Sequence, residues 1–320
     1  MDFQLLTSNL TNPTLLFFLL GIFAILVKSD LEIPPSSSKF ISLYLLFAIG
    51  FKGGQELSHS PFSLAILYSL IFGVLISALI PLYIFFILKR RMNVSDAGAV
   101  AAAYGSVSAV TFVAAASFLE AQTIPFGGHM VAVMALMESP AIIVGVILMM
   151  RYDKDAESKG NLLRVFQHSF TNGSVLLILG SLIIGFIADT KQAEGIKPFT
   201  TDIFKGFLAI FLLEMGMVTA KRFAAFRKYG GFVTVFALLI PLVNGSLVAL
   251  ISRFVTPEDG NRFIFAILAA SASYIAVPAA MSLAAPKSDP GLYIPMALGL
   301  TFPFNISIGM PIYFAIVRAT

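Results

Sequence analysis

The sequence predicts an all-α integral membrane protein of ten transmembrane helices, built as two inverted five-helix repeats with helices 4 and 9 broken. Three observations lead there. Hydrophobic residues make up 58% of the 320-residue chain and charged residues 12%, against roughly 45–50% and about 25% in a soluble domain; mean hydropathy is +0.90. The apolar residues gather into ten runs, each near the roughly 20 residues that span a bilayer as a helix. Two of those runs, at matching places in the two halves, are interrupted by small hydroxyl-bearing stretches, Gly105-Ser106-Val107-Ser108-Ala109-Val110-Thr111 and Ala270-Ser271-Ala272-Ser273-Tyr274-Ile275-Ala276-Val277-Pro278.

The spans fall near 13–28, 38–54, 62–89, 95–119, 128–151, 172–189, 202–221, 229–254, 261–285 and 291–317. Each is expected to be helical, because a helix satisfies its own backbone groups in lipid, and the dyad alternation of a membrane β-barrel is missing. The first run reads as a span rather than a cleaved signal, since no basic stretch precedes it and no small-residue cleavage site follows. The third is long enough to tilt, and Pro81 can kink it.

Basic residues in the connections set the orientation. With the N-terminus outside, the inner connections hold Lys28, Lys39, Lys89, Arg90, Arg91, Arg151, Lys154, Lys159, Arg164, Lys221, Arg222, Arg227, Lys228 and Lys287. The outer ones hold only Lys52, Lys191, Lys197, Arg253, Arg262 and Arg318. The positive-inside bias therefore predicts both termini outside. The polar loop from Arg151 to Leu163 is then cytoplasmic. It divides the chain into a first repeat (1–151), a linker (152–163) and a second repeat (164–320). Five spans is an odd number, so equivalent helices of the two halves cross in opposite directions, which defines an inverted repeat.

The halves match at one constant offset, which pairs Ser106 with Ser271, Ser108 with Ser273, Ser117 with Ser282 and Pro125 with Pro290. Pro140 and Pro303 follow two residues out of register. Interrupted helices at corresponding places of two halves point to a transporter's binding site. Small and hydroxyl residues also pack membrane helices together and bond back to their own backbone. The doubled occurrence, with Gly105 and Pro278 as breakers, favours a site over packing. A half-helix N-terminus attracts an anion, and freed carbonyls with Ser or Thr oxygens suit Na⁺.

Glu138, in Met137-Glu138-Ser139-Pro140, falls mid-membrane, where an ionisable residue is a functional candidate by default. Glu214 is a weaker candidate of the same kind, and Lys205 is expected to snorkel toward an interface. Glu120 is expected to be solvated at a span end. Asn305 follows Pro303 in the counterpart of the Glu138 region. Other chemistries lack their parts. There is no cysteine. His59, His129 and His168 have no metal-ligand spacing. There is no Walker A sequence for direct ATP drive, and no cluster of enzyme residues, so no enzyme activity, cofactor or bound metal beyond a coupling ion is expected. The net charge of +4 forms no basic patch interleaved with aromatics, so nucleic acid is not a partner.

The run from Gly105 to Glu120, with its Gly-x-Val-Ser spacing and terminal Leu119-Glu120, resembles a motif of the sodium-dependent bicarbonate transporter family (SbtA type). Ala269 to Pro278 resembles that family's serine-rich second motif, and Met137-Glu138-Ser139-Pro140-Ala141 resembles its Met-Asp-Ile-Pro-Ala. Met215-Gly216-Met217 and Gly53-Gly54 also match. The chain departs at Ser108-Ala109-Val110-Thr111, where the family motif reads Ser-Gly-Ser-Thr, at Tyr274, where it carries an aspartate, and in a much shorter central loop. The resemblance implies a core domain and a gate domain, an anion held between the two broken, crossed helices, coupling to Na⁺, a homotrimer, and a PII-like regulator on the cytoplasmic face.

The expectation is a bacterial inner-membrane secondary transporter that takes up a small anion, bicarbonate first, with Na⁺ by alternating access. Substrate contacts are expected from Ser106, Ser108, Ala109, Thr111, Ser271 and Ser273, and ion coupling from Glu138, Ser139, Tyr274 and Asn305. Ser108, Ser273 and Glu138 are the candidate Na⁺ ligands. The alternatives are a symporter of a larger organic anion, of the bile-acid type, which the apolar Val110 would suit, and a non-transporting membrane sensor, against which the near-absence of soluble segments argues.

Overall fold

The computed structural model describes residues 13–59, 63–152, 167, 171–226, 230–285 and 287–320. Residues 153–163 of the expected linker lie outside them, as do Lys154, Lys159, Arg164, His168, Arg227 and Lys228. The described residues are 84% helix, with no strand among them. The helices are α1 (Pro13–Leu26), α2 (Pro35–Ser58), α3 (Leu64–Leu88), α4 (Val94–Gly105), α5 (Ala109–Ala121), α6 (His129–Tyr152), α7 (Gly173–Ile187), α8 (Thr190–Lys197), α9 (Phe204–Phe226), α10 (Gly230–Ile251), α11 (Asp259–Ala270), α12 (Ala276–Ala284) and α13 (Pro290–Ala319).

Among the described residues each expected span is mostly helical, apart from the interruptions at 106–108 and 271–275. Among the described residues six helices are long and apolar enough to cross a membrane, counting α4 with α5 and α8 with α9 as single runs, and α1 and α7 are shorter apolar helices. Phe23, Leu79, Ile187 and Leu247 lie exposed on the outer surface, as side chains facing lipid would.

One element was not expected. α8 occupies the connection after α7, where no helix was assigned. Its start is fixed by a capping box: the Asp189 carboxylate accepts from the Gln192 N–H at 2.8 Å and the Gln192 side chain accepts from the Asp189 N–H at 3.2 Å. α13 is also irregular, with π-turns over Met296–Thr301 and Asn305–Gly309. Pro295, Pro303 and Pro311 lack the N–H that would continue a regular ladder there.

Two helix pairs pack along their lengths, α1 on α9 and α2 on α7. Both seams use glycine in both partners. A Cβ on Gly21 would lie 2.0 Å from the Leu213 carbonyl oxygen, and one on Gly216 would lie 2.0 Å from that of Phe18. Gly54 and Gly185 meet the Leu182 and Phe51 carbonyls in the same way, at 2.1 and 2.2 Å. Such close approach replaces the hydrophobic drive that is absent between helices in lipid. In the rest of the bundle α3 packs on α4 and α6, while α10 packs on α11 and α13.

Contacts between helix ends join ends that an alternating chain brings to one side. The Asp289 N–H donates to Asp96 Oδ1 at 2.8 Å, and Lys89 lies 3.9 Å from the Tyr152 ring centre. At the other end the Gly127 N–H donates to Asn261 Oδ1 at 2.7 Å, and Lys205 pairs with Glu120 at 3.1 Å. Arg262, 4% exposed, ties three helices there. Its guanidinium donates to the Val317 carbonyl at 3.0 Å and the Ala249 carbonyl at 3.2 Å.

Candidate functional site

The two interruptions are breaks in the helical backbone. α4 ends at Gly105 and α5 begins at Ala109; α11 ends at Ala270 and α12 begins at Ala276. α4 and α11 are each 12 residues long. The offset that pairs Ser106 with Ser271 carries Val94 onto Asp259 and Gly105 onto Ala270. Glycine is required at 105 because the Pro81 ring packs on it: an added Cβ would lie 2.3 Å from Pro81 Cγ.

The breaks lie against each other. The Ser108 N–H donates to Ser271 Oγ at 3.0 Å, and that hydroxyl donates on to the Leu268 carbonyl at 2.8 Å. The Ser273 N–H donates to the Ala103 carbonyl at 2.8 Å. Ser106 Oγ donates to the Glu138 carbonyl at 3.2 Å, which ties the first break to α6. Asn305 Nδ2 donates to the Ala270 carbonyl at 2.8 Å, which ties the second to the π-turn of α13. Behind them the Tyr104 hydroxyl meets Thr301 Oγ1 at 2.7 Å, and Thr301 donates to the Ala237 carbonyl at 2.8 Å. Backbone groups freed at the breaks are thus largely answered inside the protein, as burial requires.

The two N-termini at the breaks differ. Ser108 caps α5 with its own hydroxyl, which accepts from the Thr111 N–H at 3.2 Å. α12 has no side-chain cap at Ile275, the residue before it. Its first N–H groups are therefore the more available to an anion.

A cavity of about 440 Å³ touches both breaks. Ser108, Ala109, Ser273, Tyr274 and Glu138 line it, and it runs to Pro35, Ser38 and Lys39 in the first turns of α2. A larger cavity, about 840 Å³, lies at the opposite end, around Lys52, His59, Glu120 and Lys205. None of the break residues lines it, so the smaller cavity is the candidate site.

Five of the ten expected site residues reach this wall. Ser106, Thr111, Ser139, Ser271 and Asn305 do not; each is at most 2% exposed, and the bonds above turn Ser106, Ser271 and Asn305 onto backbone. Lys205 and Glu120 are both exposed and pair with each other. The sequence reading missed Ser38, Ser42 and Ser174, which line the cavity from α2 and α7. The four-residue spacing of Ser38 and Ser42 on one helix face was the available signal. Glu214, rated weakly from sequence, lines the cavity from α9. Hydroxyls, a half-helix N-terminus and two carboxylates can together hold an anion beside a small cation.

A family model described as the Na+-dependent bicarbonate transporter superfamily matches residues 13–318. No curated protein matches the chain.

Proposed function

Because the chain belongs to the Na⁺-dependent bicarbonate transporter superfamily, a family of membrane transporters rather than enzymes, we propose that it takes up bicarbonate together with Na⁺ by alternating access. The observation that carries this reading is a cavity lined from both helix breaks, Ser108 and Ala109 on one side and Ser273 and Tyr274 on the other. In this reading Ser108 and Ser273 with the α12 N-terminus hold the anion, and Glu138 is the coupling carboxylate. Ser106, Thr111, Ser271 and Asn305 hold the geometry of the breaks.

The matched lengths of α4 and α11 and the glycine seams α1–α9 and α2–α7 support ten spans in two inverted halves. The seams carry the gate and the broken helices the core. In this reading the protein sits in a bacterial inner membrane with both termini outside, as the positive-inside bias of its connections supports. In that orientation the cavity, which leads to Lys39, faces the cytoplasm. Trimeric assembly and a PII-like regulator at the cytoplasmic face stay proposals of the family resemblance alone.

Uptake of labelled bicarbonate into proteoliposomes, with and without an inward Na⁺ gradient, tests the reading. Gradient-dependent accumulation is expected; equal uptake under both conditions overturns it. One observation favours a second cargo class. About 440 Å³ lies within the range of pockets that hold drug-sized ligands, so a larger organic anion competes with bicarbonate. A melting-shift screen of carboxylates against bicarbonate separates the two.

A further inference from the structure

The cavity wall carries more negative charge than an anion site tolerates unaided. The charged groups facing it are Glu138 on α6, Glu214 on α9 and Lys39 on α2. Lys39 is exposed at the mouth, where water screens it. An anion at the breaks therefore meets two carboxylates in a mostly apolar cavity, where charge repulsion is poorly screened. A cation that neutralises one of them first or at the same time removes this repulsion.

Glu214 is built for that cation. Ser38 lines the same cavity, and one oxygen of the carboxylate, Oε2, is buried without a hydrogen-bond partner. A buried carboxylate oxygen left unanswered is costly, and a bound cation removes the cost. Tyr274 joins this place to the breaks. Its hydroxyl donates to Met215 Sδ at 3.8 Å, on the residue after Glu214, and it lines the same cavity as Ser108 and Glu214. Carboxylate, serine and phenol oxygens are hard donors of the kind Na⁺ takes.

We propose that Glu214 is a cation-binding residue: with Ser38 and Tyr274 it holds a Na⁺ on the α9 wall of the cavity, opposite Glu138, and this ion makes anion entry possible. The inference deepens the transport reading by placing a coupling ion on the helix paired with α1, so that the ion lies across the seam between α9 and the broken helices.

The test uses Na⁺ alone as probe. The melting temperature of the purified full chain is followed against NaCl, with choline chloride holding ionic strength constant. Wild-type protein is expected to gain stability with Na⁺. Glu214→Gln is expected to need roughly tenfold more Na⁺ or more, the size of one lost charged ligand. Glu120→Gln, at the opposite end, is expected to behave as wild type. Glu214→Asp keeps the charge but withdraws it, and is expected to weaken Na⁺ binding to an intermediate degree. It carries the test if the glutamine variant does not fold. No Na⁺ effect on wild type, an undiminished effect in Glu214→Asp, or loss in Glu138→Gln with none in Glu214→Gln each overturns the proposal. So does a stabilisation that follows pH and ignores Na⁺. Absence of bicarbonate flux with a Glu214-dependent Na⁺ effect would sink the transport reading and leave this one standing.

Discussion

The Ser108 N–H donates to the Ser271 hydroxyl at 3.0 Å, so a serine of the second break answers a backbone group freed by the first. Two serines of the second break, two residues apart, thus do different work. Ser271 is a bracket between the breaks, whereas Ser273 holds the contact through its own N–H to Ala103 and turns its side to the cavity. Ser271→Ala leaves a buried N–H unpaired and is expected to cost about 1–3 kcal/mol. Ser273→Ala keeps the backbone bond, so it is expected to melt near wild type while weakening substrate uptake. Melting and uptake measured on both variants check this; equal melting losses would refute the division of labour.

The α1–α9 seam predicts a sharp contrast between glycines on one helix. Gly216→Leu forces side-chain atoms onto the Phe18 carbonyl, where even a Cβ would lie 2.0 Å away. Overpacking against a backbone atom is expected to exceed the usual cost of about 1–3 kcal/mol and to abolish folded yield. Gly206→Ala on the same helix meets nothing within 4 Å and is expected to fold normally. Size-exclusion profiles of the two variants decide it.

Arg262 is a structural staple rather than a substrate contact. It lies away from the cavity, yet its bonds hold the carbonyls of Val317 and Ala249. Arg262→Leu is expected to lose about 1–3 kcal/mol for each buried acceptor left unanswered, with the substrate's half-saturating concentration unchanged in whatever protein folds. A selective rise in that concentration, without a fall in melting temperature, would contradict the assignment.

The Lys205–Glu120 pair is the opposite case. Its side chains are 61% and 48% exposed, and such pairs contribute about 0–1 kcal/mol. Glu120→Gln is expected to shift melting by no more than that, with the difference shrinking further at high salt. A larger drop would mean the pair is more sheltered than its exposure indicates.

Much of the fold was legible because the bilayer imposes a length. Runs of about 20 apolar residues located the long apolar helices, and Gly105, Pro278 and the paired serines marked both breaks. α8 was legible and went unread, since Asp189 and Gln192 spell its capping box. The π-turns of α13 announced themselves only as three prolines, and Asn305's bond to the Ala270 carbonyl depends on how that irregular helix lies over α11.

The sequence by itself determined the membrane class, the helix positions, the matched breaks and, with the family's motifs, the kind of transporter to expect. Only the tertiary structure decided which hydroxyls face the cavity and which face backbone, and that Glu214 joins Glu138 on its wall. The physical reason is periodicity. A helix has a repeat that assigns faces from sequence, but the few non-helical residues of a break have none. Their orientation is set by the partners that neighbouring helices, remote in sequence, bring to them.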